Sequence, residues 1–251
     1  MRISYLTLFP NFYNEFKNTS IVKKAIDNKR INIEVYDLKE YVSNGRVDDK
    51  IVGGGHGNLL RYDVVSEAIK KIKTKDSKVI LLSPKGRVFN QQLAGELSNY
   101  HDLIFVCPHF EGIDSRIDDE VDYMISLGDY VLSGGELASQ VVSDSIIRLL
   151  DGVINTNSLK EESFNEGLLE YKQYALPKKY NNKSIPEIYF SGNHKAIKEY
   201  RIKDSINETK KLRPDLYKKH KLSDEQKAII KKCNKKWEKE VILKAKSKKV
   251  D

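Results

Sequence analysis

With 251 residues, 39% of them hydrophobic, and a net charge of +8, the chain is long enough for one large domain or two modest ones around a real core. No apolar run approaches the ~18 residues of a membrane span, and the opening MRISYLTLFPNFYNEF has neither a long apolar segment nor a small-residue cleavage site, so neither a span nor a secretory signal is expected. Two cysteines, Cys107 and Cys233, make neither a disulfide framework nor a ligand set, which excludes a disulfide scaffold and implies a reducing, cytoplasmic setting.

The first strand is predicted over RISYLTL and ends at Phe9-Pro10. SIVKKAIDNK predicts a short helix capped by Ser20, with Ile21, Val22, Ala25 and Ile26 at helical spacing. INIEVYDL alternates with period two and reads as a strand, and residues 46–58 read as a glycine-rich loop. YDVVSEAIKKIK predicts a helix, KVILLS a buried strand, NQQLAGELS a helix and LIFVC another buried strand. DYMISLG and DYVLS follow. A helix is then expected over 136–150, with Leu137, Val141, Ile146, Leu149 and Leu150 as its apolar residues. Short apolar strands alternating with helices predict an α/β fold with a mostly parallel sheet covered on both faces.

Residues 151–170 (DGVINTNSLKEESFNEGLLE) are polar and weakly periodic, which reads as a linker or mobile loop. Two long helical patterns follow. One runs from His194 to about Leu212; the other runs from Ser223 to about Lys246, with Ser223 and Gln226 in capping-box spacing. Pro214 breaks the helix between them, so an all-helical C-terminal part is expected. That part is basic: residues 171–251 hold 24 Lys+Arg against 10 Asp+Glu, and the other 170 residues hold 20 against 26. The asymmetry fits a polyanion-binding module attached to a body with another task; lysine-rich solvated helices are the plainer alternative.

Two glycine clusters call for explanation. VGGGHG (52–57) lacks the G-K-[ST] of a phosphate loop, and in SGGE (133–136) a glutamate stands where a phosphate site would want Lys, Ser or Thr. Such clusters serve sharp turns, or a ligand held by backbone N–H and C=O groups. The second use suits an adenine ring and an amino-acid zwitterion better than a triphosphate.

TLFP, VDDKIVGGGHG, VILLSPKGR, LIFVCPHFEGIDSRI, SLGDYVLSGGELA, DSIIRLLDGVI, ESFNEGLLE, SGNH and LRPDL occur in the order found in one family. Through them nearly the whole chain resembles the bacterial tRNA (guanine-N1)-methyltransferases, the TrmD family of the SPOUT superfamily. The resemblance implies a SPOUT domain over 1–152 with a deep trefoil knot, a flexible linker over 153–170 and a basic helical RNA-binding domain over 171–251. It implies S-adenosyl-L-methionine as cofactor, held by Leu82, Ser83, Pro108, Glu111, Leu127, Gly128, Asp129, Tyr130, Val131, Leu132, Gly134 and Gly135. It also implies a homodimer with active sites at the subunit interface. The substrate would be tRNA, gripped by its anticodon arm and methylated at N1 of the guanosine immediately 3′ of the anticodon. A divergent paralogue with another substrate and a non-catalytic binding protein are the alternatives.

Guanine N1 carries a proton, so a base must take it as the methyl group arrives, and a cation near O6 would stabilise the developing charge. By match, Arg148 of DSIIR is the cation and Glu162 of EESF the base, with Glu161 its neighbour and competitor. The methyl donor is already activated as a sulfonium, so no metal is expected. The chain departs from the family pattern at four places. Pro108-His109-Phe110 stands for Gly-Arg-Tyr, His56-Gly57-Asn58 for Pro-Gly-Met, Leu176 for the arginine of YTRP, and Glu162 for aspartate. His56 and His109 read as turn or hydrogen-bonding residues. Asp129 either touches the cofactor or caps its turn. Trp237 and Tyr217 either pack helices or stack a base.

Overall fold

The computed structural model describes residues 1–43, 45–155, 158–159, 162–165 and 167–232. The chain divides into two compact units, Met1–Thr156 and Asn157–Asp251. The first unit runs β1 (Arg2–Thr7), α1 (Asn14–Asn18), α2 (Ser20–Asp27), β2 (Asn32–Asp37), β3 (Asp48–Lys50), β4 (Asn58–Leu60), α3 (Tyr62–Ile72), β5 (Ser77–Val88), α4 (Gln91–Leu97), β6 (Asp102–Val106), β7 (Tyr123–Ser126) and α5 (Glu136–Ile147). Five strands form one sheet in the order β2-β1-β6-β5-β7, and every pairing is parallel. Ile3 of β1 thus sits between Ile33 and Leu103.

Why the apolar runs are continuous follows from the two cores. Successive strand residues point to opposite faces. In β6, Leu103 and Phe105 join one core while Ile104 and Val106 join the other. In β5, Ile80 and Leu82 alternate with Val79 and Leu81 in the same way. Helices α2, α4 and α5 cover the first face with Val22, Leu93, Val142 and Ile146; α3 covers the second with Val65, Ala68 and Ile69. Each fully buried aliphatic side chain contributes about 1.5–3 kcal/mol. The expected α/β sheet is therefore present.

Local expectations differ in four places. Ser20 does not cap α2: it lies in the first turn at φ 51°, Thr19 holds the cap position, and the Thr19 hydroxyl donates to the Glu15 carbonyl instead (2.6 Å). Within the expected 46–58 loop, Asp48–Lys50 pairs antiparallel with Asn58–Leu60, because the Asp48 carboxylate is fixed by Arg46 and by Asn58. Strand β5 runs past KVILLS to Val88, with its register against β7 shifting between Leu82 and Arg87. Gly86 sits in that shift, where a Cβ would come within 2.4 Å of the Ile125 nitrogen. Finally, Leu137 and Val141 of α5 are about half exposed, and its buried face is Ala138, Val142, Ile146 and Ile147 with Ser139 and Ser143.

The second unit is not all-helical. A two-stranded antiparallel ribbon, β8 (Lys179–Tyr180) and β9 (Lys183–Ser184), turns through Asn181 and Asn182, both at positive φ as a tight hairpin turn requires. Asparagine tolerates that region, so the YNNK sequence makes a hairpin turn in a part expected to be helical throughout, ahead of the two helical patterns. Helix α6 (His194–Leu212) follows, capped by the Asn193 side chain, and α7 (Pro214–Lys219) restarts with proline in its first turn. A helix over 224–232 opens with the expected capping box: Gln226 N donates to Ser223 Oγ (3.2 Å) and Ser223 N to Gln226 Oε1 (2.9 Å). The remainder of the expected 223–246 pattern, Cys233, Trp237 and Glu161 lie outside the described residues. Leu169 is bound to α6 at both backbone groups, N–H to the Thr209 hydroxyl and C=O from the Ser205 hydroxyl. Among the described residues no helix is long and apolar enough to cross a membrane.

Candidate active site

The carboxyl ends of β6 and β7 and the middle of β5, where its pairing with β6 ends and its register against β7 shifts, meet at a cavity of about 190 Å³, on the carboxyl side of a parallel sheet where ligands collect. β5 delivers Leu82 and Ser83, β6 leads through Cys107 to Pro108, and β7 leads into Leu127 and Gly128. Tyr130, Val131 and Leu132 continue the wall, and Gly134 and Gly135 close it at the start of α5. Glu111 is the only acidic side chain among the described lining residues, and none of them is Lys or Arg. Asp129 is not on the wall. Gly128 at φ 149° and a Tyr130 N–H donated to the Gly128 carbonyl (2.9 Å) make a turn that leaves Asp129 exposed at its apex.

The double glycine serves the chain's approach to itself. A Cβ on Gly135 would lie 2.7 Å from Cys107 Cα and from Pro108 Cδ. Gly135 φ is −81°, so the requirement is space and not a left-handed backbone. The close approach lets Gly135 N donate to the Pro108 carbonyl (2.8 Å) and pairs His109 with Gly134 as an isolated bridge. His109 Nδ1 is 2.9 Å from the Ser133 carbonyl, which only accepts, so Nδ1 carries the proton there. The edge-on Phe9 ring, 4.7 Å away between centroids, supports the imidazole. His109 thus holds two parts of the wall together, as a hydrogen-bonding residue. His56 is exposed and off the wall.

Behind the wall lies a polar layer that single-sequence reading did not find. Glu136, the first residue of α5, is 4% exposed and accepts from the Thr7 hydroxyl at the end of β1 (2.8 Å), which itself accepts from Phe9 N (2.9 Å). A carboxylate at a helix N-terminus also faces the positive end of the helix dipole. Ser139 Oγ donates to the Glu136 carbonyl, so Tyr13 OH donates to Ser139 Oγ (2.8 Å) and receives the Cys107 thiol at 3.2 Å. Burial pushes the Cys107 thiol up to about 12, so it stays protonated and is no nucleophile. The available signal was position alone: TLFP and CPHF both leave carboxyl ends of central strands.

The 51–57 glycine loop reaches the same region. A Cβ on Gly57 would lie 2.5 Å from Glu111 Cγ, and Glu111 N donates to the Asn58 carbonyl (3.0 Å). Glycines at 53, 54, 55 and 57 all have positive φ, which accounts for the cluster. The two expected catalytic residues are not brought to the cavity within one unit. Arg148 ends α5 at its C-cap, 13 residues and so about 20 Å of helix from Gly135. Glu162 belongs to the second unit. Tyr217, also there, has the Lys210 ammonium 5.8 Å above its ring.

A sequence model of the family described as tRNA (Guanine-1)-methyltransferase TrmD matches residues 1–219. Curated proteins named tRNA (guanine-N(1)-)-methyltransferase are similar over most of the chain. That of Malacoplasma penetrans is 47% identical over 219 residues, 86% of this chain and 97% of the relative. That of Clostridium botulinum (strain Kyoto / Type A2) is 47% identical over 240 residues, 94% and 100% of the two chains. That of Acholeplasma laidlawii is 44% identical over 241 residues, 95% and 99%.

Proposed function

The chain belongs to the tRNA (guanine-1)-methyltransferase TrmD family, a SPOUT family, and on that footing we propose that it transfers a methyl group from S-adenosylmethionine to N1 of the guanosine immediately 3′ of the tRNA anticodon. The observation that carries the donor is the make-up of the cavity wall. It has no Lys or Arg for a polyphosphate and one carboxylate, Glu111, for a cationic ligand. Apolar Leu82, Leu127, Leu132 and Ala138 suit an adenine ring, and the backbone of 127–135 offers polar groups to its edge. The SPOUT trefoil knot is proposed for the same region. The pairing of His109 with Gly134 and the fit of Gly135 against Cys107 are consistent with it.

When bound, the donor supplies a methyl group already activated on a sulfonium. The protein has then to orient guanine, remove its N1 proton and stabilise the charge that spreads to O6. Glu162 takes the N1 proton; Arg148 places its guanidinium at O6, where five fixed donors match a developing oxyanion. Because 10 residues, about 15 Å of helix, separate Arg148 from Ala138, the last residue of α5 on the cavity wall, a homodimer in which one copy's Arg148 serves the other's cavity is the arrangement proposed. Half-exposed Leu137 and Val141 on α5 and Val131 and Leu132 at the cavity offer the apolar surface such a contact needs. The basic second unit would hold the anticodon arm. Calorimetry tests the donor site. S-adenosylmethionine should bind the parental chain and the Glu162→Gln variant alike; absence of binding at millimolar ligand would overturn the assignment.

A further inference from the structure

A second cavity, of about 330 Å³, lies wholly within the second unit, between the 171–176 segment, Ile185 and the short 3-10 turn Glu187–Phe190. None of its lining residues is fully buried, so it is a cleft and not part of a core. Its rims are aromatic: Tyr174 is 44% exposed and Phe190 45%. Tyr189 braces Tyr174 at 5.4 Å between centroids and anchors its hydroxyl on the Lys172 carbonyl. Cations back the rings: Lys178 stands 4.4 Å over Phe190, and the Arg201 guanidinium 4.6 Å over Tyr171. Gln173 also lines the cleft, its amide Nε2 donating to the Glu170 carboxylate and its Oε1 an acceptor type at the rim.

Beside the cleft, Ile185 N donates to the Lys178 carbonyl and so joins the end of the β8–β9 ribbon to the floor. Lys172 and Lys178 are engaged by Glu208 and Glu187. Among the described residues Lys179 and Lys183 of the ribbon make no ion pair; both are exposed and flank Tyr180, itself 70% exposed. Flat aromatic faces beside uncompensated lysines are how proteins hold single-stranded nucleic acid, stacking a base and neutralising its phosphates. We propose that this cleft binds one unpaired nucleobase of the RNA substrate, with Lys179 and Lys183 on the adjoining phosphates. The proposal rests on the tRNA reading above.

Fluorescence anisotropy of tRNA on the full chain across a salt series tests it. Tyr174→Leu and Phe190→Leu keep apolar bulk and remove the π face. Each should weaken tRNA binding roughly ten-fold with an unchanged log–log salt slope, because no phosphate contact is lost. Tyr174→Phe should bind as the parent does. Lys179→Ala with Lys183→Ala should instead flatten the slope by about 0.9 per lost contact. S-adenosylmethionine binding should be the same in all of them. Parental tRNA affinity in both leucine variants would overturn the nucleobase site while leaving the tRNA reading intact. A loss accompanied by altered donor binding or slope would mean structural damage and would also contradict it. Failure of the parental chain to bind tRNA would remove the tRNA reading itself.

Discussion

Gly135 has no room for a side chain, since a methyl group there would meet the backbone of Cys107 and the ring of Pro108 at 2.7 Å. Gly135→Ala should cost about 1–3 kcal/mol, as overpacking does, and should weaken methyl-donor binding, read by urea melts and calorimetry. Unchanged values for both would mean that the α5 start is free to move. Glu162 tests the chemistry and not the packing. Glutamate has the same functional group as aspartate at nearly the same reference pKa, ~4.3 against ~3.9. Its side chain is one methylene longer, which a polar segment can absorb. Glu162→Gln should remove most methyl transfer, leave donor binding intact, and act far more strongly than Glu161→Gln in single-turnover assays. Cys107 should be inert to alkylating reagents at neutral pH in the folded protein, because burial holds its thiol at about 12; peptide mapping of the label checks this.

Strands β1 and β6 are tied at their starts by Asp102. Burial pushes its carboxyl up, but hydrogen bonds from Arg2, Ser77 and Thr74 outweigh that and hold it below the usual carboxylate range. A depressed folded value means the stabilisation is complete above the unfolded value near ~3.9 and is lost as pH falls through the folded one. Asp102→Asn should therefore lower stability by about 2 kcal/mol at neutral pH and by progressively less below pH ~4, measured by urea melts across pH. An equal loss at pH ~2 would contradict the account. The main strands and helices were legible because their apolar residues repeat with the period of the element that buries them. Buried runs such as LIFVC belong to strands whose two faces are both covered. The face of α5 was not legible, because Ser139 and Ser143 are buried through hydrogen bonds to Tyr13 and Tyr5 while Leu137 and Val141 stay out. Of the twelve residues that the motifs assigned to the cofactor, all but Asp129 line the cavity, yet Pro84, Gly112, Ile125, Ser126, Ser133 and Ala138 line it too and no motif match had pointed to them. Its polar support, Thr7 with Glu136, joins residues 129 apart in sequence, which no local pattern reveals.

Across the whole molecule, charge and exposed apolar surface divide the labour. The acidic first unit holds the cavity, and the basic character lies in residues 171–251. Light scattering should give twice the 28.9 kDa chain mass; Leu137→Asp with Val141→Asp should give the single-chain mass and little methyl transfer. A parental monomer at micromolar concentration would contradict the shared-site arrangement. The most direct measurement uses two tRNA transcripts that differ only in the nucleotide immediately 3′ of the anticodon, guanosine in one and adenosine in the other. Each is incubated with the chain and S-adenosylmethionine, then digested for nucleoside mass spectrometry. The account predicts 1-methylguanosine from the guanosine transcript, none from the adenosine one, and near-complete loss of product with Glu162→Gln. Absence of any methylated nucleoside from the parental chain, or equal methylation of both transcripts, would contradict it.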